Sequence, residues 1–200
     1  MSHNLIPSDD YIPPGLIDLR EPITPEQFEE LCSRNRKLRL ELTSTGKLII
    51  MPFMGVQSGI HNAKLTYQLG AWACIDGSGV CFSSSTIFTL TNGAMRMSDA
   101  AWVKREKWDR LTKRQKEGFG PLCPDFVVEL KSPDEHLAQL RNKLLEYVNN
   151  GVSMGWLIDP FEFRVYVYRP NHEVVILDNP EIVSGDPLLP GFTLNVTELW

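Results

Sequence analysis

The residues with most chemical content lie in Phe126-Val127-Val128-Glu129-Leu130-Lys131, where a carboxylate and an ammonium interrupt an apolar, strand-like run. Side chains two apart on a strand leave the same face, which predicts that Glu129 and Lys131 emerge together, roughly 6–7 Å apart along the backbone. Burying a carboxylate is costly unless it is paired, hydrogen-bonded or bound to a metal. Asp99 stands thirty residues before Glu129, at the head of a second strand-like run, Ser98-Asp99-Ala100-Ala101-Trp102-Val103. A strand-borne Asp followed by Glu-x-Lys on another strand suits metal-assisted phosphodiester cleavage. Mg²⁺ takes one or two carboxylates and keeps several waters. A bound cation neutralises developing charge and lowers the pKa of an attacking water. Asp99 and Glu129 are therefore the expected ligands of Mg²⁺ or Mn²⁺, and Lys131 the group that orients the water or stabilises the pentacovalent transition state.

Spacing separates these residues from a nearer decoy. Pro124-Asp125 reads like half of a nuclease motif, but Asp125 is four strand positions from Glu129, about 13 Å along an extended chain. Those two do not readily share one metal. Asp125 is expected to serve instead as a hydrogen-bonding residue where the strand begins.

The elements that must position the pair are written in the local sequence. Thr24-Pro25-Glu26-Gln27 has an N-cap Thr, Pro at the first helical position and Gln at the third, predicting a helix to about Arg34. Leu38–Leu42 and Lys47–Met51 flank Ser44-Thr45-Gly46 as a hairpin. Leu65, Leu69 and Trp72 mark a helix over about Ser58–Ala73. Val80–Leu90 and Met95–Val103 flank Asn92-Gly93, a strong hairpin signal. Ser132-Pro133-Asp134-Glu135 repeats the capping pattern, predicting a helix with Leu137, Leu140 and Leu144 inward, stopped by Asn149-Asn150-Gly151. Three strands then follow, at Trp156–Ile158, Arg164–Tyr168 and Val174–Leu177. Residues 1–22, rich in Pro and Asp, read as an N-terminal arm, and 23–200 as a single α/β domain.

Bulk properties narrow the class. Two hundred residues can bury roughly 70% of their unfolded surface in one core. No apolar run approaches the length of a membrane span, and the N-terminus has no secretory pattern. Cys32, Cys74, Cys81 and Cys123 are scattered with no C-x-x-C pair, so free thiols in the cytoplasm are expected rather than zinc or disulfides. The net charge of −5 argues against a general nucleic-acid coat. Lys104–Glu117 nevertheless carries seven cations against three carboxylates, while Asn171–Trp200 has neither Lys nor Arg. The basic segment is either a solvated helical face or a phosphate-contacting patch, with Trp108 available for stacking.

Taken together, the blocks Ser98–Val103, Cys123–Pro133, Lys143-x-x-x-Tyr147 with Gly151, and Gly155-Trp156-Leu157-Ile158-Asp159-Pro160 resemble the Uma family of restriction-endonuclease-type proteins. That family belongs to the PD-(D/E)XK nuclease superfamily. Leu40-Glu41 with Gly46, and Leu189-Pro190-Gly191-Phe192, extend the resemblance over about Thr24–Trp200. It implies a restriction-endonuclease-like core, a mixed central sheet flanked by helices, with the N-terminal helix and hairpin added to it. It implies Asp99 and Glu129 as metal ligands, Lys131 as the catalytic lysine and Glu41 as a further carboxylate. DNA is the implied substrate, and cutting both strands from one site per chain implies a homodimer.

Lys143 and Tyr147 fall where such nucleases carry polar helical residues facing the site, although spacing alone pairs Lys143 with Glu146 on its own helix. Two departures stand out. Ser98 replaces the proline that usually precedes the first Asp. The helix opening Gln57-Ser58-Gly59-Ile60-His61 lacks the polar or acidic residue often aimed at the site. The rival reading is a non-catalytic nucleic-acid or protein-binding module on the same scaffold.

Overall fold

The structure is a computed structural model that describes residues 15–17 and 22–200. Most of the expected arm, residues 1–14 and 18–21, lies outside the described residues. Its Gly15–Ile17 (β1) is a strand rather than linker, paired antiparallel with Leu48–Met51.

Helix α1 (Pro25–Arg34) begins as its sequence dictates: Thr24 Oγ1 accepts the Gln27 N–H at 3.3 Å and Gln27 Oε1 accepts the Thr24 N–H at 2.7 Å. The hairpin β2 (Arg39–Leu42) and β3 (Leu48–Met51) follows, then α2 (Val56–Asp76), which is longer at both ends than its leucine spacing predicts. Next come β4 (Gly79–Ser83), β5 (Ile87–Thr89), β6 (Met95–Met97) and β7 (Ala100–Lys104). The basic segment folds into two single-turn helices, α3 (Arg105–Asp109) and α4 (Lys113–Glu117). Strand β8 (Phe126–Leu130), helix α5 (Leu137–Asn149) and strands β9 (Met154–Asp159), β10 (Arg164–Tyr168) and β11 (Val175–Asp178) complete the central layer. A short hairpin, β12 (Ile182–Ser184) and β13 (Thr193–Asn195), precedes a 3₁₀ turn at Val196–Leu199.

The central sheet has the order β11-β10-β9-β8-β7-β4, and only β8 and β9 run parallel. A parallel pair needs a crossover, and α5 is that crossover, which lays it across one face of the sheet. Alternation along β8 then sorts its side chains. Phe126, Val128 and Leu130 pack with Leu65 and Leu69 of α2 and with Phe192 from the C-terminal hairpin. Val127 faces the other way, among Leu140, Leu144 and Tyr147 of α5. Glu129, two positions beyond Val127, follows it toward α5.

The long hairpin expected around Asn92-Gly93 is divided between two sheets. Its tip, β5–β6, joins a five-stranded antiparallel sheet of order β1-β3-β2-β6-β5, packed on Phe28 of α1. Its base, β4–β7, joins the central sheet. Asp99 sits where the chain passes from one sheet to the other.

A second expectation changes in detail. Helix α5 starts at Leu137 with His136 in the N-cap position, not at Ser132. The Ser132 amide and hydroxyl both bond Glu135 Oε2, at 2.9 and 2.7 Å, so the capping pattern closes a turn that carries the chain out of β8 before the helix begins.

Gly79 on β4 lies against the Trp102 indole, and an added Cβ would stand 2.2 Å from that rigid ring. Gly79→Ala is expected to cost about 1–3 kcal/mol through overpacking, read as a lowered denaturant midpoint with an unchanged slope.

Candidate active site

The register of the β7–β8 ladder sets the first pair. Ala100 faces Val128 and Trp102 faces Phe126, so Asp99 enters just past the end of the ladder, alongside Val128–Leu130. The Asp99 N–H donates to the Val128 carbonyl at 3.0 Å. Its carboxylate then takes a place a backbone carbonyl would fill: Oδ2 accepts the Leu130 N–H at 2.7 Å. Oδ1 accepts from Asn62 Nδ2 on α2, also at 2.7 Å. Burial pushes the Asp99 carboxyl above its ordinary value, with the Leu130 hydrogen bond and Lys143 opposing.

Glu129 is 4% exposed and meets Lys143 of α5. The ammonium lies 3.0 Å from Oε1 and 3.2 Å from Oε2, but only Oε2 receives it at a hydrogen-bonding angle. Oε1 is therefore buried without a hydrogen bond. Burial drives the Glu129 carboxyl up to about 8; Lys143 opposes the shift, and the Asp99 and Glu41 carboxylates add to it.

Glu41 on β2 completes the cluster from the other sheet. Its Oε1 accepts the Met97 N–H and stands 3.0 Å from Lys143 Nζ, while Oε2 accepts from Arg96 Nη1 at 3.1 Å. Burial alone would raise this carboxyl, but Lys143, Arg96 and the Met97 N–H outweigh it and hold it below the usual range. Arg96 in turn donates through Nε to Glu146 at 2.7 Å. Lys143 is held above its ordinary value: burial lowers it, and Glu129 and Glu41 more than compensate.

Asp99, Glu129 and Glu41 thus converge, and Lys131 does not join them. Strand β8 ends at Leu130; the Lys131 N–H still reaches the Ile158 carbonyl. The Lys131 ammonium, however, lies 4.6 Å over the Phe161 ring and donates to the Ser132 carbonyl at 3.4 Å. Lys143 is the ammonium at the carboxylates, and it pairs with Glu41 and Glu129 rather than with Glu146 of its own helix. Asp125 sits at the opposite end of β8, accepting from the Lys104 N–H and from Lys107 Nζ. The basic segment is at that end too, beyond β7 and away from Asp99.

Among the described residues, no group of three or more His, Cys, Asp and Glu side chains is spaced to hold a metal ion. Two carboxylates with water are nevertheless an ordinary Mg²⁺ donor set. The buried Glu129 Oε1, in ionic contact with Lys143 but without a hydrogen bond, is a ligand atom that a cation would satisfy, so the residues present fit such an ion.

A profile of the Uma2 family, described as "Putative restriction endonuclease", matches residues 25–197. The chain belongs to the Uma2 family. Among solved structures it is similar to "a putative nuclease belonging to DUF820" from Anabaena variabilis ATCC 29413, at 23% identity and a TM-score of 0.71. The match covers 89% of this chain and 97% of that one. At that identity the likeness speaks to the fold, which is the restriction-endonuclease-like mixed sheet flanked by helices. A comparison with curated protein sequences found no match.

Two polar residues of this Uma2 site escaped the sequence reading. Asn62 supplies the polar group missing from Gln57–His61, one position further along α2. Its signal was a place in line with the buried Leu65, Leu69 and Ala73. His61 is buried and hydrogen-bonded to Gln57. Arg96 was signalled only by being an arginine between two buried methionines.

The Glu129 shift carries a sign. Its folded pKa, about 8, lies above the ordinary 4.5, so the native state holds a proton that the unfolded chain releases. That contribution is fully present below pH 4.5 and is lost as pH rises to about 8. Without divalent metal, Glu129→Gln should remove this loss. Chemical denaturation across that window should show wild type losing stability relative to Glu129→Gln as pH rises.

Proposed function

We propose that this Uma2 protein is a metal-dependent endonuclease that hydrolyses DNA phosphodiester bonds, with Asp99 and Glu129 holding Mg²⁺ or Mn²⁺. One observation carries the reading: Asp99, bonded to Val128 and Leu130 on either side of Glu129, brings a second carboxylate beside a Glu129 that has one buried oxygen without a hydrogen bond. When bound, the cation would neutralise charge on the phosphate and lower the pKa of an attacking water.

The chain's own residues supply the rest. Asn62 and the Leu130 N–H fix the Asp99 carboxylate, so it needs little reorganisation to serve as a ligand. Arg96 and the Met97 N–H anchor Glu41, which in turn anchors Lys143. An ammonium has three donors. Two go to Glu41 and Glu129, leaving one to orient a water or to meet a developing negative charge. Lys131, the lysine of the Glu-x-Lys motif, stands just past the strand end, where it can contact a substrate phosphate. In this assignment Lys143 has the role at the reacting atoms and Lys131 an electrostatic one at the substrate backbone.

The absence of a third metal-holding side chain among the described residues favours a second reading, a non-catalytic binding module on the same scaffold. Plasmid nicking with Mg²⁺ or Mn²⁺ separates the two. Wild type should cut and Glu129→Ala should be inert with its fold retained; equal inertness of both across metals and DNA forms sinks the nuclease reading. Lys143→Met should abolish cutting, whereas Lys131→Met should still cut with a raised KM and a weaker salt dependence. The reverse outcome would return the catalytic role to Lys131. In thermal melts Mg²⁺ or Mn²⁺ should raise the wild-type Tm by mass action, and Asp99→Ala should remove that rise.

A further inference from the structure

Helix α2 is apolar on two faces. One is accounted for: Leu65, Leu69 and Ala73 are buried against the central sheet. The opposite face carries Val56, Ile60, Ala63, Tyr67, Gly70 and Cys74, spaced three or four residues apart along one stripe. Val56 is 87% exposed, Tyr67 75% and Ile60 46%. The only charged residues of α2 are Lys64, whose ammonium donates to the Glu198 carbonyl, and Asp76, which accepts from Ser78 at the helix end. A solvent-facing helix surface normally carries charge. This one lacks the cations that DNA or an anionic lipid surface would require.

We infer that this stripe seats the same stripe of a second copy, with the two α2 helices antiparallel about a two-fold axis level with Leu65. The inference rests on the helix alone and not on the nuclease reading. Residues equidistant from Leu65 then face each other across the axis. Tyr67 meets Ala63 of the second copy, Ile60 meets Gly70, and Val56 meets Cys74, so each large side chain lies against a smaller one. Such alternation is what lets facing helices interdigitate.

Gly70 supports the pairing independently. It lies in the helix interior, where glycine weakens a helix relative to alanine. Nothing inside the fold requires it, since an added Cβ would find no atom nearer than Cys81 Sγ at 4.0 Å. Close approach of a side chain from outside would. A helix of this length, about 31 Å, buries on the order of 1,000 Å² when paired, at the lower edge for a specific interface. Exposed Phe53 and Met54, just before α2, can add to it.

Sedimentation of the full chain at high micromolar concentration tests the association. Wild type should be a dimer, and Tyr67→Asp a monomer with an unchanged melting curve; Ala63→Glu serves equally if the first variant does not fold. A monomeric wild type overturns the proposal, as does a dimer that survives the folded variants. Val56→Cys tests the orientation. Residues 56 and 74 of one chain are about 27 Å apart along the helix, beyond the reach of the shortest bifunctional maleimide. The reagent should therefore link the introduced thiol to Cys74 of another chain, identified by peptide mapping, and should give no α2 cross-link in wild type. Links between two introduced thiols, or no covalent dimer, would overturn the antiparallel arrangement.

Discussion

A single buried ammonium, that of Lys143, organises this molecule's charged interior. Three acids come within range of one another, Glu41 and Glu129 from strands and Asp99 from the link between β6 and β7, and the protein interior penalises each of them for being ionised. Lys143 enters from the crossover helix and lies 3.0 Å from oxygens of both Glu41 and Glu129. Arg96 extends the chain outward to Glu146, giving alternating charges that link β2, β6, β8 and α5. The two sheets are thereby joined by more than apolar packing. Replacing such a network by well-packed apolar residues is often neutral or stabilising, so stability alone is a weak reason for its presence. The chemistry those charges make available is a better one.

The division of roles among the carboxylates follows from their hydrogen bonds. Glu41 receives a backbone amide, a guanidinium and an ammonium, and is held ionised despite its burial. Glu129 has the ammonium alone, with two other carboxylates close by, and is pushed toward its protonated form. Asp99 lies between these cases, satisfied by one amide and one side-chain amide but still raised by burial. The three acids thus differ in how fully their oxygens are satisfied, and Glu129 is the one left short of donors.

Much of this was legible in the residues themselves. The apolar run Phe126–Leu130 pointed to β8, and strand spacing separated Asp125 from Glu129 at its two ends, because period-two alternation acts locally. The same rule failed one residue later for Lys131, since β8 terminates at Leu130 and Ser132 and Glu135 turn the chain away. Helix α1 matches its cap residues because every partner lies within four positions. The division of the Asn92-Gly93 hairpin between two sheets had no local signal. Neither did Arg96 and Glu41, which meet across 55 residues of chain. The short strands β12 and β13 were missed for a related reason: their buried side chains, Val183 and Leu194, sit singly among exposed ones.

The location of Asp99 at the passage between sheets also bears on the order of events during folding. Asp99 and Glu129 meet through a ladder of adjacent antiparallel strands, which can form as soon as the central sheet does. Glu41 and Lys143 lie more than a hundred residues apart and meet only when the five-stranded sheet docks. Loop closure of that span is slow relative to local pairing. Lys143 and Glu129, only 14 residues apart, can pair earlier still, so Glu41 is the member of the cluster that arrives last. On that order the charge of Glu41 is the last to be balanced, and docking of the five-stranded sheet onto Lys143 completes the network.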